Sequence, residues 1–457
     1  MTALAILDCV GLTPRHLGLN TPNLNRLAEG GFVRPLAPAL PAVTTTGQVS
    51  MLTGVAPRQH GIVGNGWYFR DLNEILLWRQ SEGLIDAPLV WEGARHADGQ
   101  PWRVLKHFWW YAMATSATAT VTPRPAYHHD GRKSPDIYAW PPDLKQVLDE
   151  RHGTFPLFNF WGPMADLRST RWIAESFRTA WDHTKPDLGL CYLPHLDYDL
   201  QRFGPVGDHL ERNLRDLDAC VGLILDHLRP LGVEVLVVSE YGLNPVKRAV
   251  FPNRHLREAG LLAIQVNATG ELLDPGASRA FAVCDHQVAH VYIRNPHDVA
   301  TAITALEGVP GVARVHRGGA ALGLDHARCG ELVLEAERDT WFAHDYWLDP
   351  VAAPDFARCV EIHKKPGYDP RELFFDPQGG KFRAAKALLR KKLGLRYVLD
   401  PCPLDPTLVR GSHGVPTADP LDGPILIGSD RRRASLPLTH HTDIHGLIRR
   451  ILDPTHA

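Results

Sequence analysis

The sequence predicts an α/β protein whose central sheet is mostly parallel. Residues 188–193 and 233–238 are short, fully apolar segments of the kind that form buried strands. Between them, residues 206–228 carry apolar side chains at helical spacing. The order strand, helix, strand indicates parallel pairing, and α/β proteins of this kind collect their functional groups beyond the carboxyl ends of the strands.

Three acidic residues are predicted to lie along that carboxyl edge. The first apolar segment of the chain, residues 3–7, ends at Asp8 and is followed by a helical stretch over residues 21–29. Asp197 comes shortly after the strand at 188–193, and Glu240 comes shortly after the strand at 233–238. Because parallel strands end at one edge, we expect the three carboxylates to be neighbours.

Residues 255–405 differ from the flanking segments in their order of predicted strands and helices, and they are predicted to form an inserted α+β cap. The segment has strand-like stretches at residues 281–284, 288–293 and 312–316 and a helical stretch at 299–306, and residues 350–406, which are rich in Pro, Lys and Arg, are predicted to be irregular. The chain then returns to a Gly-Ser-His413-Gly loop, a strand at 424–428 and a closing helix at 441–452. We therefore predict one main domain made from residues 1–254 and 406–457.

Composition and charge exclude some classes of function. The 457 residues include 49 Lys and Arg against 51 Asp and Glu, which gives a formal net charge of -2. A chain with this balance has no overall basic field for a bulk nucleic-acid coat or a polybasic membrane clamp. With 44% hydrophobic and 22% charged residues, it can bury a core of one large domain or two.

Cysteine usage and the N-terminus point to a cytoplasmic protein. The seven Cys residues stand singly, and an odd number cannot all pair within one chain. The apolar run at residues 3–7 is too short for the core of a signal peptide, and no segment approaches about 18 uncharged apolar residues. We expect reduced thiols, no membrane span and a cytoplasmic location.

The most specific motif lies between Pro41 and Asn65. It reads Pro41-Ala-Val-Thr44-Thr-Thr-Gly-Gln-Val-Ser-Met-Leu-Thr-Gly54 and is followed by His60-Gly-Ile-Val-Gly-Asn65. Hydroxyl groups therefore stand at the start of a predicted helix, and an Asn follows in a loop. A helix N-terminus offers free N–H donors and positive potential, which suit an anionic phosphate and a hydroxyl nucleophile.

These motifs resemble those of the alkaline phosphatase superfamily. Within it, the chain is similar to the nucleotide pyrophosphatase/phosphodiesterase (type I phosphodiesterase) branch and also to phosphonoacetate hydrolases. The resemblance covers residues 3–70, 188–245 and 408–450. It implies an alkaline-phosphatase-like three-layer sandwich, a site for two divalent metal ions, and metal-dependent hydrolysis of phosphodiester, phosphoanhydride or phosphonate bonds.

The resemblance also implies roles for individual residues. Thr44 matches the family nucleophile, which forms a phosphothreonine, and Asn65 matches the residue that holds phosphoryl oxygens. The spacing from Thr44 to Gly54 and to Asn65 fits the family pattern. The metal-site positions carry over as Asp8, Thr44, Asp197, Gln201, Glu240, Tyr241 and His413.

Three of these positions depart from the family. Gln201 stands where the family has His, and Glu240 with Tyr241 stands where it has Asp and His. Amide, carboxylate and phenol oxygens are harder ligands than imidazole, so Zn²⁺, which the resemblance implies, is favoured less, and Mn²⁺, Mg²⁺ or iron relatively more. Glu240 is expected to be a ligand, whereas Tyr241 is either a phenolate ligand or a hydrogen-bond donor.

Several other residues are candidates for additional metal ligands or for substrate contacts. Strand placement would separate His286 from His290, which favours a structural role for both. The aromatic run at residues 108–111 is typical of a hydrophobic core. The histidines at 440, 441 and 445 are typical of the start of the closing helix. Candidate substrate contacts are Trp67, Tyr68 and His363, while His195 and His363 are either structural, substrate-contacting or metal-ligating.

The expected partner is a small phosphorylated substrate, with neither bulk nucleic acid nor a membrane, and the oligomeric state is left open. The alternative function is a non-catalytic or single-metal family member that binds a phosphorylated small molecule. Other phosphoryl-transfer or isomerase chemistry is a further alternative.

Overall fold

The computed structural model of the chain describes residues 3–129 and 132–453. The predicted strands and helices are found within a few residues of their expected positions. The helices are α1 Pro22–Gly30, α2 Thr44–Thr53, α3 Pro57–His60, α4 Pro142–His152, α5 Leu167–Thr184, α6 His195–Phe203, α7 Asp208–Leu228, α8 Pro252–Glu258, α9 Val299–Leu306, α10 Gly380–Lys392 and α11 Asp443–Leu452. The strands are β1 Leu4–Cys9, β2 Phe32–Pro35, β3 Gly66–Phe69, β4 Glu74–Leu77, β5 Val104–His107, β6 Ala119–Pro123, β7 Ala126–Tyr127, β8 Lys133–Ser134, β9 Ile137–Trp140, β10 Leu188–Leu193, β11 Glu234–Val238, β12 Asn244–Pro245, β13 Arg248–Val250, β14 Ile264–Asn267, β15 Gly270–Leu273, β16 Ala280–Asp285, β17 Val288–Ile293, β18 Val312–Arg317, β19 Leu332–Ala336, β20 Thr340–Phe342, β21 Gly411–Ser412 and β22 Ile425–Gly428.

The central sheet has the order β2-β22-β11-β1-β10-β5-β6-β9. The five neighbours β11, β1, β10, β5 and β6 pair in parallel, whereas β22 pairs antiparallel with both β2 and β11, and β9 pairs antiparallel with β6. The prediction of a mostly parallel sheet is therefore confirmed.

The sheet is covered by helices on both faces, as the side-chain alternation along β1 shows. Ala5, Leu7 and Cys9 pack into a core with α5 and α7, whereas Leu4 and Ile6 pack into a second core with α2 and α11. Successive side chains of a strand point to opposite faces, so Asp8 lies on the same face as Leu4 and Ile6. This parity directs Asp8 toward α2, the helix that begins at Thr44.

The cap contains a four-stranded antiparallel sheet of order β16-β17-β19-β18. Its core also includes Ile62, Val63 and Trp67 from the main domain, so the two parts share buried apolar surface. The predicted boundary between residues 254 and 255 falls inside α8, and β13 pairs with β20 across it.

The stretch 350–406, which was predicted to be irregular, contains the 13-residue helix α10. None of the seven cysteines is in a disulfide. Across the described ranges, no helix combines the length and the apolar character that a membrane crossing needs.

Candidate active site

The carboxyl edge of the sheet brings together the three predicted acidic residues. Residue 8 is level with Tyr192 of β10 and with Val238, the last residue of β11. Asp197 lies in the first turn of α6, just beyond β10, and Glu240 lies two residues beyond β11. All three side chains are buried, so the predicted acidic cluster is present.

Helix α2 begins at Thr44, as the sequence predicts, and faces this cluster. The Thr44 hydroxyl lies 3.4 Å from the Tyr241 hydroxyl, which in turn lies 3.4 Å from Asp197 Oδ1. Gly47 packs so closely on Glu240 that a Cβ at position 47 would lie 2.9 Å from the Glu240 Cβ. Glycine at 47 therefore lets the start of the helix approach the carboxylates.

Asn65 is held against the start of α2 by Thr45 and Asp285. Its Oδ1 accepts from the Thr45 backbone N–H at 3.1 Å and from the Thr45 hydroxyl at 3.2 Å. Its Nδ2 donates to Asp285 Oδ1 at 3.1 Å, and its backbone N–H donates to Asp285 Oδ2 at 2.7 Å. An amide nitrogen carries two hydrogens, so one remains for a phosphoryl oxygen.

Asp8 and Glu240 form a buried pair of carboxyl groups bridged by Gln48. Gln48 Nε2 donates to Asp8 Oδ2 at 2.8 Å and to Glu240 Oε1 at 3.4 Å. The backbone N–H of Trp110 donates to Gln48 Oε1, which fixes the amide so that its NH₂ faces the carboxyls. Burial raises the pKa of Asp8 to about 7, and burial together with the Asp8 charge raises the pKa of Glu240.

This pair fits a divalent cation. Asp8 Oδ1 and Glu240 Oε2 are buried and have no hydrogen-bond partner among residues 3–129 and 132–453. Two like charges in a low-dielectric site need a proton or a cation to neutralise them, and hard carboxylate oxygens suit Mn²⁺, Mg²⁺ or iron as well as Zn²⁺. Asp8 and Glu240 would hold such an ion near the start of α2, and the ligand role of Thr44 stays a prediction.

The set around Asp197 is arranged differently, as a chain of side-chain hydrogen bonds. Gln201 Nε2 donates to Asp197 Oδ2 at 2.6 Å, and the Tyr368 hydroxyl donates to Gln201 Oε1 at 2.8 Å. Both ends of the Gln201 amide are therefore engaged in a hydrogen-bond chain. In the described part of the chain, no cluster of three or more His, Cys, Asp or Glu side chains is arranged for a metal ion. The second metal and the ligand role of Gln201 stay predictions.

Tyr241, His413, His286 and Tyr368 form a column of stacked rings. The ring centroids are 3.5 Å apart for Tyr241 and His413, 3.6 Å for His413 and His286, and 3.7 Å for His286 and Tyr368. Burial and the charges of Asp197 and Glu240 raise the pKa of Tyr241, which favours the neutral phenol over a phenolate. Burial lowers the pKa of His413 and of His286.

His286 belongs to the inserted cap and lies between His413 and Tyr368 in the column of rings. Its backbone lies in the left-handed region with a φ of 59°, in the turn between β16 and β17, which His tolerates better than most residues. Its Nδ1 is 2.7 Å from Asp285 Oδ1, and its Nε2 is buried without a partner among the described residues. Asp285 therefore links Asn65 to His286, and the cap contributes directly to the site.

Replacing His286 by Asn should destabilise the protein, because it removes a fully buried ring from the middle of the column. Asn tolerates the left-handed backbone, so the effect reports on lost packing. We expect the free energy of unfolding, measured by urea denaturation, to fall by about 2–4 kcal/mol. The matched control is His297→Asn at an exposed cap position, with an expected change within about 0.5 kcal/mol. Equal stability of the two variants would contradict the column.

A buried ion network fixes the segment that carries Tyr368. Arg371 pairs with Asp345 at 2.5 Å and with Asp369 at 2.7 Å, and Lys365 pairs with Asp369 at 2.9 Å and with Glu372 at 2.8 Å. All of these side chains are buried. Removing one partner from such a network leaves an unpaired buried charge, so its members hold each other and the intervening backbone in one geometry.

The three candidate substrate contacts Trp67, Tyr68 and His363 have the following neighbours. Trp67 is buried in the cap core, where it stacks on Phe69, and Tyr68 packs edge-on against Phe281 and Tyr292. The β3–β4 hairpin packs both rings against the cap core, and the substrate contact predicted for them stays a prediction. His363 is exposed, with Arg79 and Glu361 as charged neighbours.

The remaining histidines have structural surroundings. His290 Nε2 bonds the Val63 carbonyl, as the predicted structural role implies. His195 lies at the start of α6 and faces Asp216 at 3.9 Å. His441 bonds the Ala39 and Ser239 backbone just before α11. His286, for which a structural role is also predicted, packs between His413 and Tyr368 in the ring column.

Sequence reasoning missed Gln48, Asp285 and Tyr368 as site residues. Gln48 lies one helical turn after Thr44, so helical spacing could have placed it beside the nucleophile. Asp285 and Tyr368 come from the cap, where no motif pointed to them. Trp110, from the run predicted to be core, stacks on Trp78 near Tyr368, whereas its neighbours at 108, 109 and 111 are buried in the cores.

The fold and the site define the class of protein: a three-layer α/β sandwich of the alkaline phosphatase superfamily, with a hydroxyl at a helix start facing acidic strand ends. The family model of type I phosphodiesterase/nucleotide pyrophosphatase matches residues 4–369. The chain therefore belongs to the type I phosphodiesterase/nucleotide pyrophosphatase family.

Individual relatives are distant. An uncharacterized pyrophosphatase/phosphodiesterase of Schizosaccharomyces pombe is 25% identical over 236 residues, which cover 49% of this chain and 41% of the yeast protein. Mouse ectonucleotide pyrophosphatase/phosphodiesterase family member 1 is 23% identical over 244 residues, which cover 51% of this chain and 23% of the mouse protein. The match thus spans less than half the length of either relative.

Solved structures of similar fold cover the whole chain. Phosphonoacetate hydrolase from Sinorhizobium meliloti 1021, in complex with phosphonoformate, aligns with a TM-score of 0.58 at 14% identity, over 99% of this chain and 96% of that one. An inactive form of murine ectonucleotide pyrophosphatase/phosphodiesterase 5, in complex with AMP, aligns with a TM-score of 0.59 at 13% identity, over 99% and 95%. These likenesses establish the shared fold.

Proposed function

We propose that this chain is a metal-dependent hydrolase of phosphodiester, phosphoanhydride or phosphonate bonds that uses Thr44 as its nucleophile. The observation that carries the proposal is the position of the Thr44 hydroxyl at the start of α2, 3.4 Å from the Tyr241 hydroxyl. The residues that follow Thr44 in the same helix contact Asn65, through Thr45, and the buried Asp8–Glu240 pair, through Gln48. Family membership supports the reaction class.

The chain's own residues supply a path for the first half-reaction. Thr44 Oγ attacks phosphorus and a phosphothreonine forms. The bond that breaks joins phosphorus to the leaving oxygen of an ester or anhydride, or to the leaving carbon of a phosphonate, and the leaving group keeps the electron pair. The Thr44 proton passes to Tyr241 Oη while the Tyr241 hydroxyl proton passes to Asp197, along contacts of 3.4 Å each. The free N–H of Asn65 stabilises the phosphoryl oxygens as negative charge shifts onto them.

Water completes the cycle by hydrolysing the phosphothreonine, which restores the Thr44 hydroxyl and releases the phosphoryl product. A divalent cation held by Asp8 and Glu240 would supply Lewis-acid chemistry that favours the alkoxide form of Thr44 and offsets developing charge. A second cation beside Asp197 and His413 remains an expectation from the family, and no step here depends on it. A cytoplasmic location also remains a prediction.

A panel of substrates after metal analysis tests the proposal. Protein purified without chelator is assayed for bound metals, then given bis-p-nitrophenyl phosphate, p-nitrophenyl phosphate, phosphonoacetate and nucleotide sugars. Turnover that chelator removes and a divalent cation restores supports the hydrolase. Absence of turnover on every substrate, with the metal bound, contradicts it.

The second candidate function is binding of a phosphorylated small molecule without turnover. It is favoured by the Asp197–Gln201–Tyr368 hydrogen-bond chain, which takes the place of metal ligands. A binder would show saturable phosphate-ester binding by calorimetry with no product formed. The hydrolase would instead release p-nitrophenol from at least one ester.

Diesters should be hydrolysed in preference to monoesters. A monoester carries a third charged oxygen that needs an extra positive group near the nucleophile. Of the two arginines that follow the Thr44 helix, Arg70 pairs with Glu331 in the cap and Arg58 is exposed to solvent. We expect kcat/KM for bis-p-nitrophenyl phosphate to exceed that for p-nitrophenyl phosphate by about tenfold or more, equivalent to about 1.4 kcal/mol. A higher kcat/KM for the monoester would contradict this preference.

A further inference from the structure

Residues 377–400 leave the body of the protein as one excursion whose ends meet. The backbone N–H of Asp376 donates to the Pro401 carbonyl at 2.7 Å and closes the base. Helix α10 and the turn that follows it make up most of the excursion. Arg383 fastens the helix to this base through Asp376 Oδ2 at 2.7 Å and the Asp400 carbonyl at 3.1 Å. We call residues 377–400 the basic excursion.

The basic excursion exposes large apolar side chains on the side of α10 that faces away from the protein. Phe382 and Leu389 are seven residues apart and Leu393 follows four residues later, so the three share one helical stripe. They are 75%, 59% and 64% exposed, whereas Ala387, on the opposite side of the helix, is buried. The apolar row continues beyond the helix through Leu395 and Val398, which are also exposed.

The same excursion is strongly cationic. Between Asp376 and Asp400 it contains no Asp or Glu but seven basic residues: Lys381, Arg383, Lys386, Arg390, Lys391, Lys392 and Arg396. Within residues 3–129 and 132–453, Arg383 alone of these seven forms an ion pair with a carboxylate. Counting Asp400 at its end, the excursion carries a formal charge of +6, and because the whole chain has a formal net charge of -2, the remainder carries -8.

We propose that the basic excursion docks this protein onto the surface of an anionic lipid bilayer. An apolar stripe flanked by Lys and Arg is the arrangement of helices that lie in the membrane interface, with apolar side chains in the acyl boundary and cationic heads among the lipid phosphates. The complementary charge of the lipid surface attracts the excursion and repels the acidic remainder, which fixes one mode of approach.

This proposal departs from the expectation that the chain carries no polybasic membrane clamp. That expectation rested on the charge balance of all 457 residues, in which the local charge of +6 is cancelled by the acidic remainder. A single peripheral helix needs only local charge and local apolar surface. It lies in the interface and does not cross it, so it is compatible with the finding on membrane-crossing helices.

Vesicle co-sedimentation of the full chain tests the proposal. The probes are vesicles of phosphatidylcholine alone and of phosphatidylcholine with about 30% phosphatidylglycerol. We expect binding to the anionic vesicles to exceed binding to the neutral ones by about tenfold or more, and to weaken steeply as NaCl rises. Phe382→Ser with Leu389→Ser, and separately Lys386→Glu with Lys392→Glu, should each lower the binding constant about tenfold or more.

Matched controls separate this surface from general effects. Leu231→Ser removes an apolar side chain that is 56% exposed elsewhere, and Arg151→Glu with Arg431→Glu makes the same charge change at other exposed positions; both should keep vesicle binding. A variant with residues 379–398 replaced by a short Gly-Ser linker should lose binding but keep its melting temperature and its activity on soluble esters, because the ends of the excursion meet.

Several results would overturn the proposal. One is equal binding to neutral and anionic vesicles, and another is unchanged binding by the excursion variants. A third is the absence of measurable vesicle binding together with one of two other activities, either tRNA binding or salt-sensitive dimerisation in gel filtration. In that case the excursion variants would abolish the tRNA binding or the dimerisation. The tRNA result would assign this surface to nucleic acid, and the dimerisation result would assign it to a second copy of the chain.

Discussion

Replacing Thr44 by Ala should abolish turnover, with kcat/KM falling by about three orders of magnitude or more. The reason is that the Thr44 hydroxyl is the one that faces the Tyr241 hydroxyl and the acidic strand ends. The measurement is hydrolysis of bis-p-nitrophenyl phosphate by purified variants. Mass spectrometry of wild-type protein quenched during turnover should find phosphate on Thr44.

The two following threonines are built-in controls. The Thr45 hydroxyl donates to the Gly64 carbonyl at 2.8 Å and to Asn65 at 3.2 Å, so Thr45→Ala loosens Asn65 and should cost about tenfold to a hundredfold. The Thr46 hydroxyl donates to the Ile62 carbonyl at 3.2 Å, and Thr46→Ala should change kcat/KM by less than about tenfold. If Thr45→Ala lost as much activity as Thr44→Ala, the assignment of the nucleophile would be wrong.

The main features of the fold could be predicted because they depend on local pattern. Short apolar strands that end in polar residues located Asp8, Asp197 and Glu240, and the sheet does place them at one edge. The start of α2 at Thr44 likewise follows from its motif. In a strand the side chains alternate with a period of two residues, and in a helix with a period of 3.6 residues. Both periods are visible among residues that are close in sequence, so a single sequence is enough to predict them.

The parts that could not be predicted depend on contacts between distant segments. His286 and Tyr368 meet His413 only because a cap hairpin and an ion-paired segment fold over the main domain. Trp67 and Tyr68 follow Asn65 in sequence, yet the β3–β4 hairpin turns them into the cap core. Helix α10 was hidden by the prolines around it, although Lys, Arg, Leu and Ala within it are strong helix formers.

Replacing Glu240 by Ala should remove bound metal and activity together, with kcat/KM falling by about a hundredfold or more. Glu240 supplies one of the two carboxyl groups of the buried pair, and its Oε2 has no hydrogen-bond partner among the described residues. Elemental analysis beside wild type measures the metal. In wild type, a divalent cation at about 100 times its Kd should stabilise the fold by about 2.7 kcal/mol, and this gain should vanish in Glu240→Ala.

Tyr241→Phe is the contrasting variant, because Phe keeps the ring that stacks on His413 while it loses the hydroxyl between Thr44 and Asp197. It should therefore keep most of the metal and the cation-dependent rise in Tm, and lose activity alone. Glu240→Gln tests charge against shape, since an amide can still accept from Gln48 but cannot neutralise a cation. Full metal occupancy in Glu240→Ala would show that Glu240 is not a ligand, and loss of metal in Tyr241→Phe would make the phenol oxygen a ligand rather than a donor.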